Sequence, residues 1–277
     1  GIDKQDTASG AEFRWVDCDN TRFRYGLPEK VGGWSSLVTD TIVGVARREF
    51  AFVDLDGNRY VAIGTDKFLL IYFEGQLYDI TPLKTTLTSA TLATTNTSAI
   101  CSITTGTNHN LSVGDIVLLD TVTLPVGTGY VDADFENKLF QVTSITSATV
   151  FTITQSTAAT ATVGTGGSLS VKPYEQVGPA EQSYGYGWGI DTWSSGKWGE
   201  AASASDVSLE PGLWSLSNFG QVLVATIANG KSVTWNAGDA ARLTTRASTA
   251  TSGFETTNNP TATRITLVSP TTRHLIH

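Results

Sequence analysis

The chain has 277 residues, of which 40% are hydrophobic and only 16% charged, with a net charge of −8. This composition excludes a disordered chain, which needs low hydrophobicity and high net charge. The acidic balance is spread along the sequence without a basic patch, which disfavours tight binding to a phosphate backbone. An acidic wall can still line a channel through which DNA slides without adhering.

The two cysteines, Cys18 and Cys101, have no metal-like spacing and read as free buried thiols in a reducing compartment. No apolar run approaches the ~20 residues needed to span a membrane, and no signal peptide heads the chain. The absence of any Met suggests processing or a fragment.

Residues 1–84 and 173–277 hold all seven Trp residues; residues 85–172 hold none and are dominated by Thr, Ser, Ala and Gly. The expected fold is all-β. A partial, propeller-like body of antiparallel meanders is interrupted by a small inserted barrel or sandwich. Residues 1–84 supply an N-terminal segment and the first sheet, residues 85–172 the insertion, and residues 173–277 the continuation of the body with an aromatic, Gly-rich loop.

In chain order, the first 40 or so residues read as irregular, with Leu27–Trp34 a loop anchored by Trp34. Thr41–Ala46 and Phe50–Leu55 read as strands. Asp56-Gly57-Asn58 is a hairpin turn in which Asp and Gly both tolerate positive φ. Strands at Arg59–Gly64, Phe68–Phe73 and Gln76–Ile80 follow, the last two joined by Glu74-Gly75. Four or five short strands of this kind make one propeller blade or half a sandwich.

In the middle stretch, five strands are expected, at Ile100–Thr104, Ile116–Leu119, Lys138–Ile145, Thr149–Gln155 and Ser168–Val171. Val131–Lys138 has room for one helical turn. The ends of this stretch, near Lys84 and Pro173, are expected to lie close together, as for a domain inserted in a loop. In the second flank, strands are expected at Gly212–Ser217, Gln221–Ile227 and Lys231–Asn236, punctuated by Asn218-Phe219-Gly220 and Asn229-Gly230. Thr263–Ser269 and Arg273–His277 open a further pair that leaves an exposed edge.

Few residues point to chemistry. Asp54-Leu55-Asp56-Gly57-Asn58 starts like a calcium loop, but position twelve is Thr65 where a Glu is required. Gly185–Gly189 lacks the flanking strand and helix of a nucleotide loop. Of His109, His274 and His277 only the last two have a spacing a metal could use, and in the strand expected there an i, i+3 pair points to opposite faces; no nucleophile elbow occurs. Asp132 and Asp134 read as a solvated acidic pair. Asn96 and Asn110 head chance matches to the glycosylation acceptor pattern. No catalytic residue, metal or cofactor is expected, and the chain reads as a non-enzyme. The run holding Tyr184, Tyr186, Trp188, Trp193 and Trp198 offers large aromatic contact area at low rotamer cost. With Trp34 these are the candidate interface residues. Packing against the chain's own body and stacking on a sugar are the competing readings of that run.

Asp19–Trp34 (DNTRFRYGLPEKVGGW), Asp56–Thr65 (DGNRYVAIGT), Tyr78–Pro82 (YDITP) and Leu213–Gly220 (LWSLSNFG) resemble segments of virion proteins of tailed phages. The chain is similar to the tail nozzle, or tail tubular, proteins of short-tailed phages. That resemblance implies a propeller-based structural protein, made in the host cytoplasm and built into the virion tail. It implies a ring of copies around the DNA exit channel, contacts with other tail or connector proteins, and DNA that passes without sequence-specific binding. Two other roles are compatible with the residues: a receptor- or carbohydrate-binding module of a phage tail, and a glycan-degrading enzyme using its scattered carboxylates.

Overall fold

The computed structural model describes residues 17–33, 35–36, 38–178, 181, 210–248, 260, 262–269, 271–272 and 274–277. Two compact units are distinguished, residues 1–39 and 40–277. The described part is all-β: antiparallel sheets and a closed six-stranded barrel, with a single 3-10 turn and no α-helix. Among the described residues, no helix is long and apolar enough to cross a membrane.

In the first unit, β1 (Thr21–Arg24) and β2 (Leu27–Lys30) form an antiparallel hairpin where the sequence suggested irregular chain. Tyr25 and Gly26 both have positive φ (52° and 82°), the geometry of a type I′ turn. Arg22 pairs with Glu29 across the strands, Nε to Oε2 at 3.1 Å. This pair is exposed and contributes at most about 1 kcal/mol.

The second unit begins at residue 40. Thr41–Ala46 is not a strand; β3 runs from Ala46 to Val53. Gly44 adopts φ +90°, and the Val45 N–H donates to the Asp66 side chain at 2.6 Å instead of to a neighbouring strand. A β-carbon on Gly44 would collide with that carboxylate, so both φ and space require glycine here. With β4 (Arg59–Thr65), β5 (Leu69–Phe73) and β6 (Gln76–Asp79), β3 makes a four-stranded meander. Glu74 and Gly75 (φ 48° and 85°) form the second I′ turn.

The β3–β4 connection works differently from the expectation. Only Gly57 has positive φ. The loop is organised by Asp54, whose Oδ1 accepts the N–H groups of Asp56 and Asn58, both at 2.9 Å. Its Oδ2 accepts from Asn58 Nδ2 at 2.8 Å and from the Tyr60 hydroxyl at 3.1 Å.

A second meander consists of β13 (Trp214–Phe219), β14 (Val222–Ile227) and β15 (Ser232–Asn236). It shares one core with the first: Phe52, Tyr60, Leu69, Ile71 and Phe73 pack with Trp214, Leu216, Leu223 and Trp235. Tyr60 sits at its centre, stacked on Phe52 (5.5 Å) and Phe73 (4.7 Å) and meeting Trp235 nearly edge-on (5.6 Å). Aromatic pairs of this kind contribute about 0.5–1.5 kcal/mol beyond area burial. The Trp235 indole N–H is satisfied by the Arg242 and Thr245 carbonyls.

Near the C-terminus, β16 (Leu267–Val268) and β17 (Leu275–Ile276) form a short ladder. β16 is fastened to β13 through serine side chains. Ser215 Oγ donates to Thr266 O at 2.9 Å, and Ser217 Oγ accepts from the Val268 N–H at 3.3 Å.

Between the two meanders lies the barrel: β7 (Leu87–Thr94), β8 (Ile100–Thr104), β9 (Ile116–Thr123), β10 (Lys138–Ser147), β11 (Val150–Thr154) and β12 (Val163–Pro173). The strands close in the order β10-β11-β8-β7-β12-β9, so it is a barrel and has six strands, not five. Alternate residues point inward, among them Ala90, Leu92, Cys101, Ile103, Val117 and Leu119. Closure leaves no unpaired edge. The 3-10 turn η1 (Asp132–Asp134) delivers Phe135 into the interior, stacked on Phe140 at 5.5 Å.

Candidate functional site

The barrel joins the meanders through a neck whose geometry is set by a few side chains. At the end of β6, Asp79 Oδ1 accepts from both the Thr81 N–H (2.9 Å) and the Thr81 hydroxyl (2.6 Å), turning the chain out of the sheet. The outgoing strand then meets the strand leaving the barrel. Leu83 bridges Tyr174, Lys84 N donates to Pro173 O at 2.8 Å, and Glu175 N donates to Pro82 O at 2.9 Å. Apolar side chains fill the angle between barrel and sheet: Phe68, Leu70 and Tyr174, with Ile63, Ile116 and Leu118 against them. Phe68 and Tyr174 meet at right angles, 5.6 Å apart.

A charged clamp lies beside this cluster. Asp79 Oδ2 accepts from the Tyr174 hydroxyl at 2.6 Å and from Arg246 Nη1 at 2.9 Å. Arg246 also donates to Thr81 O (3.0 Å) and to the Tyr174 hydroxyl (2.6 Å), and its guanidinium lies 4.7 Å from the Tyr174 ring centre. Burial, reinforced by the Asp79 charge and only partly opposed by Arg246, pushes the Tyr174 phenol well above its ordinary value. The group therefore stays protonated and serves as a donor. Three segments far apart in sequence thus converge on one carboxylate.

Beside the clamp is a groove of about 700 Å³. Lys84, Lys231 and Arg246 line it with Glu175 and Asn229, and the half-buried Leu83 and Ala228 contribute apolar surface. A smaller hollow of about 230 Å³, lined by Val43, Phe68, Leu70, Leu77 and Leu139, opens on the barrel side of β5 and β6. The larger groove thus presents cationic, amide and apolar groups, and the smaller one mainly apolar side chains.

The candidate interface residues Trp34, Tyr184, Tyr186, Trp188, Trp193 and Trp198 lie outside the described residues, as does Gly185–Gly189. The other singled-out residues are placed. All four contacts to Asp54 come from protein donors, which fill its acceptor positions and make the segment a loop organiser. Burial alone would raise that carboxyl, but the donations from Asn58, Tyr60 and Asp56 outweigh it and lower it. Asp132 is exposed and Asp134 half-buried, and both also hold backbone in place. Asp132 accepts the Leu124 N–H at 2.8 Å, and Asp134 accepts the Val131 N–H at 2.9 Å.

His109 is buried in the barrel. Its Nδ1 accepts the Leu111 N–H at 2.9 Å, and its Nε2 lies 2.9 Å from Ser147 O. His277 Nδ1 lies 3.0 Å from the Thr266 hydroxyl. Among the described residues, no group of three or more His, Cys, Asp or Glu side chains is placed to hold a metal. Cys18 and Cys101 are both free, the first half-buried and the second buried.

The neck clamp is the structural feature of this region that sequence reasoning missed. Its only signal was that Tyr78–Pro82, already singled out as a motif, carries an acidic residue at a strand end.

No protein-family model matches the chain, and no curated protein does. Among solved structures it is similar to the phage phi92 endosialidase, at 14% sequence identity and a TM-score of 0.25. The match covers 69% of this chain and 27% of that one. A likeness of that size carries no argument about fold or activity.

Proposed function

We propose that this chain is a non-enzymatic structural component of a tailed-phage virion, forming a ring of copies at the tail around the DNA exit channel. The sequence resemblance to tail nozzle proteins motivates the reading. The observation that carries it is mechanical: two meanders close on one aromatic core, and the barrel between them is fixed at its root by a ladder, an apolar cluster and the Asp79–Arg246 clamp. Such a body resists bending at its joints, as the wall of a bore must. In this reading the meanders are successive propeller-like blades, and the net charge of −8 keeps DNA from adhering.

Light scattering on the purified chain, followed by electron microscopy of assembled particles, tests the proposal. Rings in solution and density for the chain at the tail are expected. A strict monomer at high concentration, together with particles that assemble fully without the chain, would overturn it.

A second reading, a receptor- or carbohydrate-binding module of the tail, is favoured by the aromatic sequence from Tyr184 to Trp198. It predicts saturable glycan binding that Trp188→Ala or Trp193→Ala abolishes while assembly persists.

A further inference from the structure

We propose that the neck groove binds a small organic anion bearing carboxylates, with an acidic sugar the chemistry that fits it best. The inference is independent of whether the chain forms a ring.

The first argument is charge. In a chain of net charge −8 this groove gathers Lys84, Lys231 and Arg246 against the single carboxylate of Glu175. Arg246 is committed to Asp79. Lys84 also acts on the Asp115 carboxylate at the barrel base, but among the described residues its ammonium group makes no close ion pair, and Lys231 extends into the groove from an exposed position. Concave walls of one sign concentrate counter-charged ligands.

The second argument is preorganisation. The two lysines sit on backbone that is already fixed. Lys84 is held in the neck ladder by its N–H to Pro173 O at 2.8 Å. Lys231 follows the Asn229-Gly230 turn, which is pinned by Gly230 N to Ile227 O and by Asn229 N to Thr263 O, both 2.8 Å. Binding there costs little backbone ordering.

The third argument is shape and polarity. A volume of about 700 Å³ falls within the range of roughly 300–1,000 Å³ typical of small-molecule pockets. Apolar surface from the half-buried Leu83 and Ala228, with amides from Asn229 and Gln176 nearby, suits a ring that has one apolar face, hydroxyl groups and a carboxylate. Inorganic phosphate shares only the charge.

Isothermal titration of the full chain with trigalacturonate tests the proposal, with maltotriose and inorganic phosphate as comparison probes. Saturable binding of trigalacturonate is expected, with none of maltotriose. Lys84→Gln and Lys231→Gln should each weaken it on the order of tenfold, while Lys138→Gln, on the barrel, leaves it unchanged. Unchanged thermal melts establish that the variants are folded. The proposal fails if trigalacturonate does not bind at millimolar concentration, if maltotriose binds equally, or if the two groove variants bind like the parent. Binding of phosphate alone would overturn the carboxylate assignment.

Discussion

Trp214 occupies the space that a side chain on Gly64 would need. A β-carbon built on Gly64 would lie 2.6 Å from the indole Cδ1, and the indole N–H donates to Thr65 O at 3.0 Å. Gly64 is on β4 and Trp214 opens β13, so one contact locks the first meander to the second. Gly64→Ala should therefore destabilise the chain by about 1–3 kcal/mol through overpacking. Trp214→Ala should cost more, about 3–5 kcal/mol, because it also leaves a cavity. Urea unfolding measures both, and a Gly64→Ala midpoint equal to that of the parent would show that the indole shifts freely.

The neck clamp should behave as a coupled unit. Arg246→Gln leaves the Asp79 carboxylate without its cation, and Asp79→Asn leaves Arg246 without its anion. Each change should cost about 1–3 kcal/mol. The double variant should cost clearly less than the sum. Additive losses in a double-mutant cycle would mean that the two groups act separately.

Two barrel carboxylates should respond to pH with opposite sign. The hydrogen bond from Lys172 holds Asp120 below its ordinary value, so its contribution is present above the unfolded value and is lost as pH falls through the folded one. Burial raises Asp115, opposed in part by the Ser112 N–H, Lys84 and His109. Its folded form binds a proton more readily than the unfolded chain, so its charge costs stability at neutral pH and the cost disappears on acidification. Asp120→Asn should thus lower the melting temperature at pH 7.5 but not at pH 3. Asp115→Asn should raise it at pH 7.5, with the gain vanishing at pH 3.

The thiols should differ in reactivity. Cys101 is buried and its thiol is raised by that burial, whereas Cys18 is partly exposed. A thiol reagent should label Cys18 in the folded chain and Cys101 only after unfolding. The neighbouring Tyr130 phenol, pushed up to about 12 by burial and by Cys101, should show no ultraviolet titration below about pH 11. Rapid double labelling of the native chain would contradict the closed barrel.

How much of this was legible in the sequence depended on how each strand hides its core face. β5 and β14 announce themselves with continuous apolar runs because both faces are covered. β7 was missed because its inward residues are Ala90, Leu92 and Thr94, small or polar groups that fill a narrow barrel without a hydrophobic signature. β3 begins with Ala46-Arg47-Arg48-Glu49, whose charges mask a strand. The more apolar Thr41–Ala46 is diverted by Asp66, a partner 21 residues away from Val45 that no local pattern reveals. The hairpin at Tyr25-Gly26 was hidden because tyrosine is unusual in a left-handed turn position. The clamp left only the acidic residue at the end of β6 to read, since Tyr174 and Arg246 lie 95 and 167 residues beyond Asp79 along the chain.

The side-by-side strands at Leu83 and Tyr174 also make the barrel exchangeable. Whatever lies between them starts and finishes at one point, so a different domain can be grafted there without altering the path of either meander. The graft must satisfy one condition. Ile116 and Leu118 pack against Phe68 and Leu70, so a replacement lacking its own apolar pair would leave an uncovered greasy patch at the joint, a ready site for unwanted association.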